Sequence, residues 1–455
     1  MLELLRSPRR LLLFLFEGVL VAISVVFASS LRMGIEGGLR YPNLTKKALL
    51  VAIVFQGALY YSGMYDMQAV RSARAVFERV LRGVLLGCGM LLPVFYVVPW
   101  LGVGRGIFLT SAALATVVLP AWRIAYNRVS DNSAFYRRAI IMGHGPLAQE
   151  IAQMVRTQRH LGLELVGLLA RDRAQVTPSE GIIATYRDLF EVVTQLDVGL
   201  IIVAYPDRRG TLPVDQLLES KFRGVEVMEG IQFYEREAGK LYVRELKPSQ
   251  LIFAEGFNVS PGQRRLKRIL DVICASFGLL LAAPLMIVTI MAIKIESRGP
   301  VLYKQVRAGQ FGKLFTILKF RSMRIDAEAA GAQFAQENDP RVTAVGRFIR
   351  KTRLDELPQL WNVLQGDMSM VGPRPERPVF IEKLEQQVPY FKQRLYVKPG
   401  VTGHAQVRAP YGATIEDMIE KLQYDLFYIK SCSVLFDLSI MLDTVKVVLF
   451  RIGSR

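Results

Sequence analysis

Three features of the 455-residue sequence predict a multi-domain membrane protein. Four apolar stretches crowd into the first 130 residues. Strand-like and helix-like runs alternate between about 136 and 255, and a further long apolar stretch opens a C-terminal unit rich in Lys, Arg and Gly. The expected architecture is an N-terminal four-helix transmembrane bundle, a central parallel α/β domain and a mainly α C-terminal domain with a re-entrant membrane helix. Composition agrees. A hydrophobic fraction of 51% excludes a disordered chain, and a mean hydropathy of +0.26 argues against a purely soluble one. The net charge of +18, from 58 Lys+Arg against 40 Asp+Glu, suits phosphorylated ligands, anionic headgroups or nucleic acid. Cys88, Cys274 and Cys432 lie far apart, which excludes a disulfide framework and a cysteine-rich zinc site. His144, His160 and His404 are equally scattered, so no metal cluster rests on them.

The first unit, residues 1–130, holds the apolar stretches Leu11–Leu31, Ala48–Tyr61, Gly83–Trp100 and Ile107–Trp122. Each approaches the length of a bilayer-crossing helix, the second being the shortest. Basic residues set the orientation. With the N-terminus inside, the inner segments carry Arg6, Arg9, Arg10, Arg71, Arg74, Arg79, Arg82, Arg123, Arg128, Arg137 and Arg138. The outer loops carry only Arg32, Arg40, Lys46, Lys47 and Arg105. Eleven against five places the N-terminus in the cytoplasm, and four spans return the chain there.

Residues 136–255 alternate. An apolar run at Arg138–Met142 leads into Gly143-His144-Gly145 and a helical pattern, then strand-like runs at Leu163–Ala170 and Val198–Tyr205 flank a helical Tyr186–Gln195. That order predicts a Rossmann-like parallel sheet. The Gly143-x-Gly145-x-x-Ala148 turn either permits a tight strand-to-helix connection or offers backbone N–H groups to an anion.

The third unit, 262–455, opens with Arg264, Arg265, Lys267 and Arg268, followed by an apolar run from Ile269 to Ile293 broken only by Asp271. Lys294, Arg298, Lys304 and Arg307 come next. The length suits a span, but basic flanks on both sides put both ends on one face. Pro284 lies inside the run and is expected to kink it. A re-entrant helix over 266–293, bent at Pro284, satisfies all three. Val434–Phe450 carries Asp437, Asp443 and Lys446 among apolar residues and reads as an amphipathic interfacial helix.

Between these two helices lie Gln305-Val-Arg307, Lys319-Phe-Arg321, Arg353-Leu-Asp355-Glu356-Leu-Pro-Gln359, Gly366-Asp-Met-Ser-Met-Val-Gly-Pro-Arg374-Pro-Glu and Lys398-Pro-Gly. Glycine turns with Lys and Arg suit a diphosphate, glycine admitting backbone donors and Arg supplying paired hydrogen bonds. Neighbouring carboxylates on a helix point about 100° apart. Asp355 and Glu356 therefore have distinct roles open to them, nucleophile, metal ligand or acid/base, or they simply cap a helix.

In order and spacing, these motifs closely resemble the bacterial sugar transferases, the large monotopic polyprenol-phosphate hexose-1-phosphate (phosphoglycosyl) transferases. The resemblance implies that 262–455 is a catalytic domain. It implies that Asp355 attacks the β-phosphate of a UDP-hexose, releasing UMP and leaving a phospho-sugar on the carboxylate. Undecaprenyl phosphate in the bilayer then takes the sugar phosphate, the first step of exopolysaccharide or O-antigen synthesis. It further implies that Glu356, with Asp355, holds Mg²⁺, and that Lys319, Arg321, Arg353, Arg374, Gln305 and Arg307 contact phosphate. The middle domain matches a CoA-binding type in that family. Relatives often carry Ser-Pro at the helix break, whereas this chain has Ala283-Pro284. The implied location is the bacterial inner membrane, multi-pass, with the catalytic domain on the cytoplasmic face; a homodimer is compatible with this, and nucleic acid is not an expected partner. A membrane-anchored nucleotide-sugar dehydratase or epimerase would want Tyr-x-x-x-Lys, which the sequence lacks.

Overall fold

The computed structural model describes residues 8–66, 70, 72–130, 136–172, 175, 181–204, 212–246, 248–254, 256–325, 327, 339–409, 412 and 414–450. They divide into two compact units, 2–230 and 231–455.

Among the described residues the N-terminal unit begins with four long helices, α1 (Pro8–Met33), α2 (Leu44–Tyr61), α3 (Ala73–Val97) and α4 (Arg105–Ser130). Helices α1, α3 and α4 are long and apolar enough to cross a membrane. The 18-residue α2 is about 27 Å long. Outward-facing Leu12, Leu15, Val19 and Ile23 on α1 are exposed, while Val21, Val25 and Ala28 are buried. Such an exposed apolar face suits lipid. One charged pair sits inside: Arg123 is fully buried and donates to Glu17 at 3.0 Å and to the Met64 carbonyl at 2.9 Å. A charge in such a setting persists only when paired.

The α/β part contains β1 (Arg137–Met142), α5 (Pro146–Thr157), β2 (Leu163–Ala170), β3 (Ile182–Thr185), α6 (Leu189–Gln195), β4 (Leu200–Val203), α7 (Val214–Phe222) and β5 (Glu226–Glu229). The sheet is parallel throughout, in the order β3-β2-β1-β4-β5. Its central strands read as unbroken apolar runs because helices cover both faces. Sequence patterning anticipated β1, β2 and β4; β3 (Ile-Ile-Ala-Thr) and β5 (Glu-Val-Met-Glu) are as short as β4 but lack its unbroken apolar run.

The C-terminal unit starts earlier than composition suggests. Lys240 pairs with Glu420, Lys430 with Glu235, and the Leu246 carbonyl accepts from Tyr390. Residues 231–253, read from sequence with the middle domain, thus pack on this unit. The long α8 (Pro261–Glu296) opens with a Ser260–Gln263 capping box and runs 36 residues. The expected break at Pro284 is corrected: the helix continues through it. Proline removes one backbone N–H, and packing along the rest of the helix outweighs that single loss.

That packing is one-sided. Asp271, Ala275, Ala282, Thr289 and Ile293, spaced by four and seven, are buried against the unit. Ile269, Ile273, Phe277, Leu280 and Ile287 face outward. Polar anchors hold both ends. Near the start, Lys267 binds Asp437 at 2.7 Å, and Asp271 accepts from Ser369 Oγ and the Met370 N–H. At the far end, Arg321 donates to the Ser297 and Arg298 carbonyls, both at 3.0 Å.

The rest is a hairpin, β6 (Leu302–Ala308) with β7 (Leu314–Phe320), then α9 (Ala344–Lys351), α10 (Gln359–Gln365), β8 (Ser369–Val371), α11 (Pro378–Gln387), β9 (Gly400–Thr402), α12 (Ile415–Lys430) and α13 (Val434–Phe450). Strands β8 and β9 pair in parallel. A Cβ on Gly372 would collide with the Lys398 carbonyl, so glycine is what allows this close approach. On α13, Phe436, Asp437 and Ile440 face inward while Leu435, Leu438, Leu442 and Val445 form an exposed apolar stripe.

Candidate active site

The hairpin explains how distant motifs converge. Register pairs Tyr303 with Lys319, Gln305 with Ile317 and Arg307 with Phe315, so these side chains share one face. On β6 the usual order is reversed: Tyr303, Gln305 and Arg307 are partly covered, whereas Val306 is 51% exposed. Polar residues face inward because the inner face is the site. Gln305 accepts from Arg307 Nε at 2.9 Å and donates to the Tyr303 hydroxyl, fixing the Arg307 guanidinium.

Asn362 on α10 clasps the neighbouring strand. It donates to the Thr316 carbonyl at 2.8 Å and accepts from the Leu318 N–H at 3.0 Å. This sets the strand, and with it Lys319, against the turn that carries the carboxylates.

Asp355 and Glu356 lie in a 3₁₀ turn, Leu354–Glu356, between α9 and α10. Arg353 enters it in the left-handed region with φ 60°, a conformation that costs a non-glycine residue about 1–3 kcal/mol and is characteristic of functional turns. The two carboxylates meet opposite environments. Glu356 Oε1 accepts from Arg374 at 3.0 Å and from Lys319 at 3.2 Å, with Arg353 at 3.9 Å. Burial opposes its charge, yet Arg374, Lys319 and Arg353 hold its pKa well below the ordinary range. Asp355 is 8% exposed. It forms no hydrogen bond or ion pair with the described residues. Burial first, and then Glu356, push its pKa up. Burial also lowers the pKa values of Lys319 and Arg307. A shallow cleft at Glu356 is lined by Arg307, Lys319, Gln359 and Arg374, with Gly400 and Val401; Asp355, next in the chain, lies behind this lining.

Of the residues proposed from sequence, Asp355, Glu356, Lys319, Arg353 and Arg374 come together, and Arg307 with Gln305 flanks them. Arg321 does not join them; its guanidinium is spent on the Ser297 and Arg298 carbonyls, just past the end of α8. Asn362, Arg394 and Asp425 were not singled out. Arg394 donates to the Arg374 carbonyl at 3.2 Å and to Asp425 at 2.8 Å.

For Mg²⁺, the described residues contain no group of three acidic, Cys or His ligands. Mg²⁺ usually takes one or two carboxylates and completes its shell with water and substrate phosphate. Asp355, whose side chain has no hydrogen bond among the described residues, and Glu356, whose bonds from Lys319 and Arg374 both fall on Oε1, fit that donor set.

A cationic cleft beside a buried, uncommitted carboxylate, in a chain with apolar bilayer-length helices, defines a membrane protein built to handle phosphorylated groups. The chain belongs to the bacterial sugar transferase family. Residues 262–451 match that family's model, and residues 61–218 match that of a CoA-binding domain. The undecaprenyl-phosphate galactose phosphotransferase of Salmonella typhimurium is 30% identical over 375 residues, 77% of this chain and 76% of that one. The UDP-N-acetylgalactosamine-undecaprenyl-phosphate N-acetylgalactosaminephosphotransferase of Aeromonas hydrophila is 42% identical over 224 residues, 49% of this chain and 52% of that one. The UDP-glucose:undecaprenyl-phosphate glucose-1-phosphate transferase of Escherichia coli is 44% identical over 184 residues, 40% of each. The matched stretch thus spans about half or less of the last two relatives.

Proposed function

We propose that the chain transfers hexose-1-phosphate from a UDP-sugar to undecaprenyl phosphate through a phospho-sugar covalently held on Asp355. The observation that carries this reading is the contrast within the acidic pair. Glu356 is committed to three cations, while Asp355 is buried beside them with no hydrogen bond or ion pair among the described residues. A carboxylate whose basicity is raised by burial is a stronger nucleophile once ionised, and the acyl phosphate it forms stays reactive enough to pass on. Asp355 attacks the β-phosphorus, the bond to the UMP oxygen breaks, and UMP leaves. The lipid phosphate then attacks the same phosphorus and frees the carboxylate. Arg374, Lys319 and Arg307 neutralise charge on the transferring group. Asp355 and Glu356 Oε2 would hold Mg²⁺, which supplies further charge neutralisation on the diphosphate when bound.

The reading places the site at the cytoplasmic face of the bacterial inner membrane. Both anchored ends of α8 belong to one polar unit, and the outward faces of α8 and α13 are apolar. That supports a helix embedded in one leaflet rather than a span. The relatives name galactose, glucose and N-acetylgalactosamine, so the sugar is an outcome of the test. The protein is incubated with each UDP-sugar and Mg²⁺ without lipid acceptor. Stoichiometric UMP release with a phospho-hexose adduct on the Asp355 peptide is expected. Transfer that proceeds only with acceptor present, with no adduct, would point to direct displacement instead.

A further inference from the structure

We propose that Arg394 and Asp425 form a buried clamp that aims Arg374 at the diphosphate, a positioning role that rests on the reaction proposed above. The segment Pro373–Glu376 contains two prolines and therefore lacks two of its four N–H donors. It cannot be placed by a helix or by an interior strand. Its carbonyls place it instead. Pro373 accepts from the Gly400 N–H at 3.0 Å, Arg374 from Arg394 at 3.2 Å, Pro375 from Arg307 at 3.0 Å and Glu376 from the Ala308 N–H at 3.1 Å.

Two of these four donors are strand or strand-end backbone, and the third is Arg307 on the site's own hairpin. The fourth, Arg394, comes from a separate turn, Phe391–Tyr396, and grips the carbonyl of the residue whose guanidinium reaches Glu356. Arg394 is in turn held at 2.8 Å by Asp425 on α12, and both are more than nine-tenths buried. Arg394 also approaches Glu376 at 3.9 Å, with Arg307 on its other oxygen at 3.6 Å. A buried ion pair is a poor way to gain stability, since apolar residues of similar size pack there at lower cost. It is a good way to fix one direction, because the planar guanidinium serves a carbonyl and a carboxylate at once.

The test is a double-mutant cycle in the full-length protein. Asp425→Asn, Arg374→Ala and the double variant are compared for kcat, KM and melting temperature, using UDP-glucose, UDP-galactose and UDP-N-acetylgalactosamine with undecaprenyl phosphate. Asp425→Asn should lower kcat by about 10- to 100-fold when Arg374 is present. It should change kcat by no more than about 2-fold when Arg374 is already Ala. Arg394→Gln, which removes the positive charge that Asp425 holds, should show the same dependence on Arg374. Equal losses in both backgrounds, or an unchanged kcat, overturn the clamp. So does loss of the melting transition in both Asp425→Asn and Arg394→Gln, because the pair is then a folding element. If the parent turns over none of the UDP-sugars, the functional reading fails and takes the clamp with it; an active parent with an additive cycle defeats the clamp alone.

Discussion

Asp355 and Glu356 are chain neighbours whose surroundings differ in sign, and stability and activity should divide between them. Asp355 has its pKa raised in the fold, so its charged form is disfavoured there, and removing the charge relieves a strain present at neutral pH. Asp355→Asn should abolish turnover while leaving the melting temperature unchanged or higher. Because the nucleophile must be ionised, the acidic limb of kcat should be shifted upward from the ordinary aspartate value. Glu356 is the reverse case. Its folded pKa is depressed, so its stabilisation is present above the unfolded value and is lost as pH falls through the folded one. Glu356→Gln should leave Lys319 buried without its counter-charge and cost about 3 kcal/mol, read by thermal melting. Most of this site was legible in sequence, because Lys319, Arg353, Asp355, Glu356 and Arg374 sit in motifs with an unusual density of charge. Arg321 looked the same and proved to be a helix cap. Asn362, Arg394 and Asp425 had no local signal; a buried Arg twenty residues beyond Arg374 is recognisable only once the chain has folded.

At the scale of elements, α8 and the β6–β7 hairpin show where patterning succeeds and where it fails. The length, basic flanks and apolar character of α8 were plain, but its continuity through Pro284 was not, because the packed face that sustains it is supplied by residues 315–370. The hairpin escaped notice because on β6 Val306 faces outward while Gln305 and Arg307 face inward, against the usual alternation, although β7 buries Ile317 and Phe320 in the ordinary way. If polar anchors rather than the proline hold α8, Pro284→Leu should leave cysteines placed at 262 and 298 labelled from the same side of the membrane. Asp271→Leu combined with Lys267→Leu should shift part of the population to opposite-side labelling.

The whole molecule divides at residue 230 rather than near 255. Composition could not show this, since the pairs that decide it join residues far apart in sequence, Glu235 with Lys430 and Lys240 with Glu420. The Leu241 N–H also donates to the Gln423 carbonyl, and His404 Nε2 lies 2.9 Å from the Gly239 carbonyl. A fragment comprising 231–455 should therefore fold in detergent and retain transfer activity, whereas 256–455 should melt at lower temperature. Equal melting temperatures for the two would show that 231–255 contributes nothing to that unit. The three-part plan, helices then parallel sheet then the motif-bearing unit, was readable from hydropathy and alternation alone.

The outward apolar faces of α8 and α13 also bear on how the two substrates arrive. On the proposed reading, the donor reaches the cleft from bulk water, by diffusion in three dimensions, whereas the acceptor is confined to a film and arrives sideways. Its effective concentration is then a surface density. Adding inert lipid at fixed total acceptor should slow the reaction as the acceptor thins out within the bilayer, while diluting the whole vesicle suspension with buffer at constant UDP-sugar should leave turnover per enzyme nearly unchanged.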